Sequence, residues 1–162
     1  MPGNERQRRF GGRPPRLDRV FPWMDPPVWY VTFNAANRER WIACSPVHDA
    51  FNRFAFRARE EHQISVGKYV LMPDHVHLFV SGFDLDLGGW VGLLKQMLAK
   101  AAPREGQGAR RWQEGFFDHL LRSDESYRQK WEYVRDNPVR DGLADRWEDW
   151  PFQGEIVPIE RP

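Results

Sequence analysis

His75-Val76-His77 sets two imidazoles two residues apart. On a strand, positions i and i+2 point to the same side of the sheet, so both rings project together while Val76 turns into the core. Two neutral imidazoles side by side can hold one divalent ion, provided at least one further ligand joins them. The same pattern also occurs without metal, as two partly exposed strand histidines. Tyr133 and Asn137 form a second pair, four residues apart late in a helical stretch, which puts them on one helix face one turn apart. The Asn137 carbonyl oxygen suits a hard cation, and Tyr133 presents a phenol beside it. The plainer roles are ring packing for the tyrosine and helix termination for an asparagine before proline. A tyrosine oxygen attacks a phosphodiester if a metal polarises the phosphate and offsets the developing charge. The chain carries each type of part for that chemistry.

The elements that must position these residues are legible in outline. Val28-Trp-Tyr-Val-Thr-Phe33 is β-branched and aromatic and reads as a strand. Ser45 as N-cap and Pro46 at the first position open a helix whose Val47, Ala50, Phe51, Phe54, Ala55 and Ala58 recur at three and four, ending near Glu61. Residues 64–72 read as a second strand. A Pro73-Asp74 turn leads to a third strand over 75–80, paired antiparallel with it. Leu85 to about Ala102 is helical, with Gly88, Gly89 and Gly92 weakening its early turns. Residues 111–118 suggest a fourth strand with a glycine bend. Asp124 caps a helix from about Glu125 to Asp136 that Asn137-Pro138 stops. The order β-α-β-β-α-β is the split βαβ, ferredoxin-like arrangement of the α+β class, a four-stranded antiparallel sheet with two helices on one face. A C-terminal helix carrying Tyr133 follows. The expected layout is an Arg/Pro/Gly-rich arm over 1–27, a catalytic domain over 28–145, and an irregular tail over 146–162 packed by Trp147, Trp150 and Phe152.

Composition narrows the class without naming a function. A length of 162 residues suits one domain, and 41% hydrophobic residues with eight Trp are enough to fill a core. The lone Cys44 excludes an internal disulfide and a CxxC-type zinc site. No run of about 20 apolar residues suggests a membrane span, and the start lacks the apolar centre of a secretory signal, so a soluble, intracellular protein is expected. The net charge of +1 hides segregation: six Arg against three acids in residues 1–27 leave the rest of the chain slightly acidic. Only four of the 24 basic residues are Lys. Arg suits phosphate oxygens and stacked bases, although a GC-rich genome gives the same bias. Arg8, Arg9 and Arg13 in the arm, Lys95 on the second long helix and Arg122 after the fourth strand are candidate phosphate contacts. His119, in Phe117-Asp118-His119, suits proton transfer, phosphate contact or a purely structural place.

Val70-Leu-Met-Pro-Asp-His-Val-His-Leu-Phe79 resembles the HUH motif (histidine, bulky hydrophobic, histidine) of single-tyrosine transposases. Trp112-Gln-Glu-Gly-Phe-Phe-Asp-His119, Leu121-Arg122, Tyr127-Arg128 and above all Tyr133-Val-Arg-Asp-Asn-Pro-Val-Arg-Asp-Gly-Leu143 resemble their REP-associated relatives. Asp149-Trp-Pro-Phe152 resembles the family's Trp-Pro-aromatic tail. The resemblance runs from about Trp29 to Phe152 in the family's order. It implies a ferredoxin-like fold, Mg²⁺ or Mn²⁺ on His75 and His77, Tyr133 as nucleophile, and Asn137 where relatives place a polar third ligand. It also implies a single-stranded DNA substrate that forms a hairpin, cut to give a 5′-phosphotyrosine and a free 3′-hydroxyl. The REP-associated pattern points to a monomer rather than a dimer, working in the cytoplasm at prokaryotic nucleoid DNA. A domesticated protein that holds DNA or RNA hairpins without cutting is the alternative. A small metallohydrolase using His75, His77 and His119 is a third reading.

Overall fold

Val28–Asn34 forms β1, with Val31 and Phe33 buried on one side and Val28 and Tyr30 on the other. The computed structural model describes residues 25–104, 111–122 and 124–159; Arg8, Arg9, Arg13 and all but the end of the expected arm lie outside them. Ser45–His62 is α1, Ser65–Leu71 is β2, His75–Ser81 is β3, and Leu87–Ala101 is α2. Phe117–Leu121 is β4, Asp124–Arg135 is α3, Asn137–Arg140 is α4, and Gln153–Glu155 is β5. The sheet runs β4-β1-β3-β2-β5 with every neighbouring pair antiparallel. β1-α1-β2 and β3-α2-β4 are thus two split crossovers, each leaving room for one strand of the other. This is the expected ferredoxin-like core with a fifth strand added.

β3 is buried along its whole length because both sheet faces are covered. Val76, Leu78 and Val80 join the core under α1 and α2. On the opposite face Phe79, Tyr30, Val70 and Met72 pack against Tyr127, Trp131 and Val134 of α3 and against Trp150. The spacing of four and three in Tyr127, Trp131 and Val134 is that of one helix stripe. Burying a large apolar side chain contributes about 1.5–3 kcal/mol, so this stripe is what holds α3 over the face that carries His75 and His77.

Local differences from the sequence-based expectation have physical causes. Cys44, not Ser45, is the N-cap of α1, and no side chain caps that end. The early glycines of α2 are compatible with a firm start, because the Asp86 side chain accepts a hydrogen bond from the Gly89 N–H at 3.1 Å. The fourth strand lies later than expected. Trp112 makes only an isolated bridge with Ala35, its indole donates to the Lys95 carbonyl at 2.8 Å, and its ring packs against Phe33 and Trp41. The aromatic richness of 111–116 therefore serves packing, and pairing with β1 begins at Phe117. The tail is not wholly irregular: Gln153–Glu155 pairs with Lys68–Val70, and the Trp150 indole donates to the Leu71 carbonyl at 3.0 Å. No β-propensity announces β5. Gly154 instead permits close approach, since a Cβ there would sit 2.9 Å from the Tyr69 hydroxyl. Among the described residues no helix is long and apolar enough to cross a membrane.

Because Trp131 anchors the α3 stripe, Trp131→Ala is expected to destabilise the fold by about 3–5 kcal/mol. Exposed Phe56 on α1 sets the contrast, and Phe56→Ala is expected to stay within about 0.5 kcal/mol. Urea unfolding of both variants measures the difference.

Candidate active site

The pleat of β3 sends His75 and His77 to the α3 side of the sheet and Val76 to the α1/α2 side. Both imidazoles are nearly enclosed, at 7% and 8% exposure, instead of the partial exposure of ordinary strand histidines. Their rings meet edge to face, with centroids 4.7 Å apart.

Each ring is oriented through Nδ1. His75 Nδ1 lies 2.6 Å from Asp74 Oδ1, and a carboxylate accepts, so His75 carries its proton there. Asp74 is itself held by Arg38 Nε at 2.9 Å, and Arg38 also donates to Asn34 Oδ1 at 2.8 Å. Burial alone would raise the Asp74 carboxyl; the hydrogen bond from His75 and the charge of Arg38 outweigh it and hold the carboxyl below its usual value. His77 Nδ1 lies 2.8 Å from the Tyr30 hydroxyl and 2.8 Å from the Thr32 hydroxyl. Thr32 faces His77 directly across the β1–β3 ladder, so the sheet register sets this contact.

The Asn137 amide completes the assignment. In a regular helix the carbonyl of Val134 would accept from the N–H of residue 138, but Pro138 has none. The Asn137 side-chain Nδ2 donates to Val134 O instead, at 2.9 Å. That bond fixes the amide's orientation and turns the same Nδ2 to within 3.3 Å of His77 Nε2. An amide nitrogen only donates, so His77 accepts at Nε2 and carries its proton on Nδ1. Both histidines therefore leave Nε2 as the atom with a lone pair.

Charge keeps His77 in that neutral form. Burial first, then the neighbouring His75 and the positive charges of Arg140, Arg38 and Lys130, push it down to about 3. Burial also raises the Tyr30 phenol above its ordinary value; the Thr32 hydrogen bond offsets part of this, and the neighbouring Tyr133 phenol adds to it. Tyr30 thus stays a neutral hydroxyl beside His77, with the Lys130 ammonium 5.1 Å above its ring.

Tyr133 projects from α3 and is 64% exposed, unlike the buried Tyr127 and Trp131 of the same helix. The Arg140 guanidinium lies 4.2 Å from the centre of its ring. The helix does not simply stop at Asn137-Pro138: α3 ends at Arg135 and, past Asp136, α4 carries the chain one further turn. Gly142, at φ +68, then supplies the left-handed residue that ends it.

The remaining expected residues lie around this centre. His119 is exposed on the same sheet face, opposite Tyr30 in the β1–β4 register. Among the described residues no three His, Cys, Asp or Glu side chains are grouped so as to hold a metal ion. Lys95 does not extend into solvent: its ammonium is engaged by the carbonyls of Gln113 and Gly115 and lies 5.6 Å from the Phe33 ring centre. Arg122 is exposed just beyond β4. Tyr30, Thr32, Asp74, Arg38 and Arg140 were not singled out from sequence. Tyr30 and Thr32 carried a usable signal, since their alternation on β1 matches that of His75 and His77 on β3.

The donor set suits a small divalent cation. The two imidazoles share one sheet face with their ring centres 4.7 Å apart, His77 Nε2 lies beside the Asn137 amide, and imidazole and carbonyl donors both serve such ions. For the amide oxygen to become a ligand, the Asn137 side chain must rotate and release the Val134 carbonyl.

The sequence profile described as "Transposase IS200 like" matches residues 29–137, from β1 through Asn137. The chain belongs to the IS200-like transposase family. Membership of that transposase family makes it a DNA-cleaving type of enzyme. A REP-associated tyrosine transposase of Escherichia coli K12 is 24% identical over 128 residues, 77% of this chain and 74% of that protein. A putative REP-associated tyrosine transposase of Haemophilus influenzae is 27% identical over 94 residues, 51% of this chain and 53% of its own length. The fold is that of a REP-associated tyrosine transposase solved bound to a REP hairpin, with TM-score 0.66, 22% identity, and 86% and 87% of the two chains covered.

In the unfolded chain a histidine protonates near pH 6.5, whereas His77 in this IS200-like fold resists protonation down to about 3. Between those values the unfolded state binds the extra proton, so stability is lost as pH falls through that window, by up to about 1.4 kcal/mol per pH unit from this one ring. His77→Gln is expected to flatten that part of the profile. Denaturant midpoints at pH 7, 6, 5 and 4.5, taken with EDTA, test this above the range where carboxylates dominate.

Proposed function

We propose that this chain is a divalent-metal-dependent endonuclease and strand transferase that cuts hairpin-bearing single-stranded DNA through a covalent 5′-phosphotyrosine at Tyr133. The observation that carries this reading is the pairing, on one sheet face, of two buried histidines, each oriented through Nδ1, with a helix bearing an exposed tyrosine. The REP hairpin in the similar solved structure supports a hairpin substrate.

In the proposed reaction Tyr133 Oη attacks the scissile phosphorus and forms a new phosphorus–oxygen bond. The bond from phosphorus to the 3′ oxygen breaks, that oxygen takes up a proton to become a free 3′-hydroxyl, and the phenolic proton passes to solvent. The phosphodiester energy remains in the phosphotyrosine, so attack by a 3′-hydroxyl can rejoin strands and restore the phenol without an external energy source. Mg²⁺ or Mn²⁺, held by His75, His77 and Asn137, supplies Lewis-acid polarisation of a phosphate oxygen when bound. Asp74 and the Tyr30–Thr32 pair keep the two imidazoles turned with Nε2 toward it. Arg38 and Lys130 add a positive field that favours a phosphate at this face. A monomer fits this reading, since Asn-Pro-Val-Arg-Asp-Gly-Leu143 and Trp150-Pro-Phe152 follow the REP-associated pattern.

Incubation with hairpin-bearing single-stranded DNA and Mn²⁺ is expected to yield a protein–DNA adduct stable to denaturation. Tyr133→Phe is expected to abolish the adduct while hairpin binding persists, and His75→Ala to lose metal-dependent cleavage while the protein stays folded. An adduct that survives in Tyr133→Phe would overturn the nucleophile. Hairpin binding with no adduct from the unaltered chain, in Mg²⁺ or Mn²⁺, would identify a non-cleaving hairpin-binding protein instead.

A further inference from the structure

Arg140 lies seven residues beyond Tyr133, yet it contacts Tyr133 twice. Its Nη2 donates to the Tyr133 backbone carbonyl at 2.9 Å, and its guanidinium carbon sits 4.2 Å from the Tyr133 ring centre. One planar group therefore holds both the backbone and the ring of the same residue. Its own base is pinned by α4: the Arg140 N–H bonds Asp136 O at 2.9 Å, and the Leu143 N–H bonds Pro138 O at 2.8 Å. Among the described residues no carboxylate pairs with Arg140, whereas Arg135, five residues earlier, stacks on Trp147 and lies 3.8 Å from Asp136.

We infer that Arg140 is the positioning residue for the Tyr133 nucleophile, fixing its ring and favouring the negative charge that develops on it during attack. This inference rests on the function proposed above. A cation over an aromatic face is attracted by the ring's π density. As the phenol loses its proton, negative charge spreads from the oxygen into the ring, so the attraction strengthens along the reaction path. An interaction stronger in the transition state than in the ground state accelerates the step itself. The charge of Arg140 also reaches His77, which puts arginine, tyrosine and histidine pair within one electrostatic neighbourhood. Lys at this position keeps the charge but loses the planar stack and the forked donor geometry.

The test uses the full chain with Arg140→Gln and Arg140→Lys. Under single-turnover conditions with Mn²⁺ and saturating hairpin-bearing single-stranded DNA, Arg140→Gln is expected to slow adduct formation about ten- to a hundredfold. The DNA concentration giving half-saturation is expected to stay within about twofold, with Arg140→Lys intermediate in rate. Equal rates in the unaltered chain and Arg140→Gln overturn the inference. So does a rate loss restored in full by raising DNA concentration, which would make Arg140 a DNA contact only. A readout without DNA or metal is the fluorine resonance of 3-fluorotyrosine placed at position 133, expected to shift in Arg140→Gln. If the unaltered chain forms no adduct, the proposed function fails by itself, and an unmoved fluorine resonance then separately overturns the Arg140 contact. Should Arg140→Gln fail to fold, Arg140→Lys carries the same rate and resonance comparisons.

Discussion

A proline without an N–H stands at the centre of this site. Pro138 leaves the Val134 carbonyl without its helical partner, and the Asn137 amide takes that place. In doing so the amide is locked into the one orientation that presents an N–H to His77 Nε2. The tautomer of His77, the availability of its lone pair, and the bend between α3 and α4 all descend from that local exchange of partners. Regular helix through residues 133–141 would satisfy Val134 in the ordinary way and would leave the asparagine free to point elsewhere.

The sheet contributes the other half of the constraint. β3 lies between two strands that support the site: β1 supplies Tyr30 and Thr32 to His77, and Val70 of β2, with Met72 just after it, seals the apolar part of the histidine face. Desolvation and clustered cations both work against a proton on His77. The neutral ring keeps Nε2 able to accept, as it does from the Asn137 amide. The apolar stripe of α3 makes this arrangement affordable by covering the same face.

Much of the fold was readable from residues alone. β-Branched and aromatic composition marked β1, the Pro73-Asp74 turn marked β3, and helical spacing marked α1 and α2, and the H-x-H pair landed together on one face because strand alternation leaves no other choice. What escaped was decided by distant partners. β5 carries no strand-forming residues and exists because β2 offers it an open edge. The stretch before β4 is strand-like in composition but is spent on packing Trp112. The helix stop at Asn137-Pro138 was legible, but the further turn over Asn137–Arg140 was not, because the bonds that shape the bend come partly from side chains. Arg140 was invisible for the same reason: its two contacts to Tyr133 depend on the bend, not on helical spacing.

The short strand at the C-terminal end has a consequence for how molecules of this chain meet one another. Among the described residues the three-residue β5 is one border of the sheet and the longer β4 is the other. A border that short gives an approaching strand few amides and carbonyls to pair with, whereas β4 stands beside the histidine face with exposed Phe117 and His119. An extended segment would therefore find more to zip onto at β4, and a chain shortened before Gln153 would lay bare the whole length of β2 as a second adhesive border.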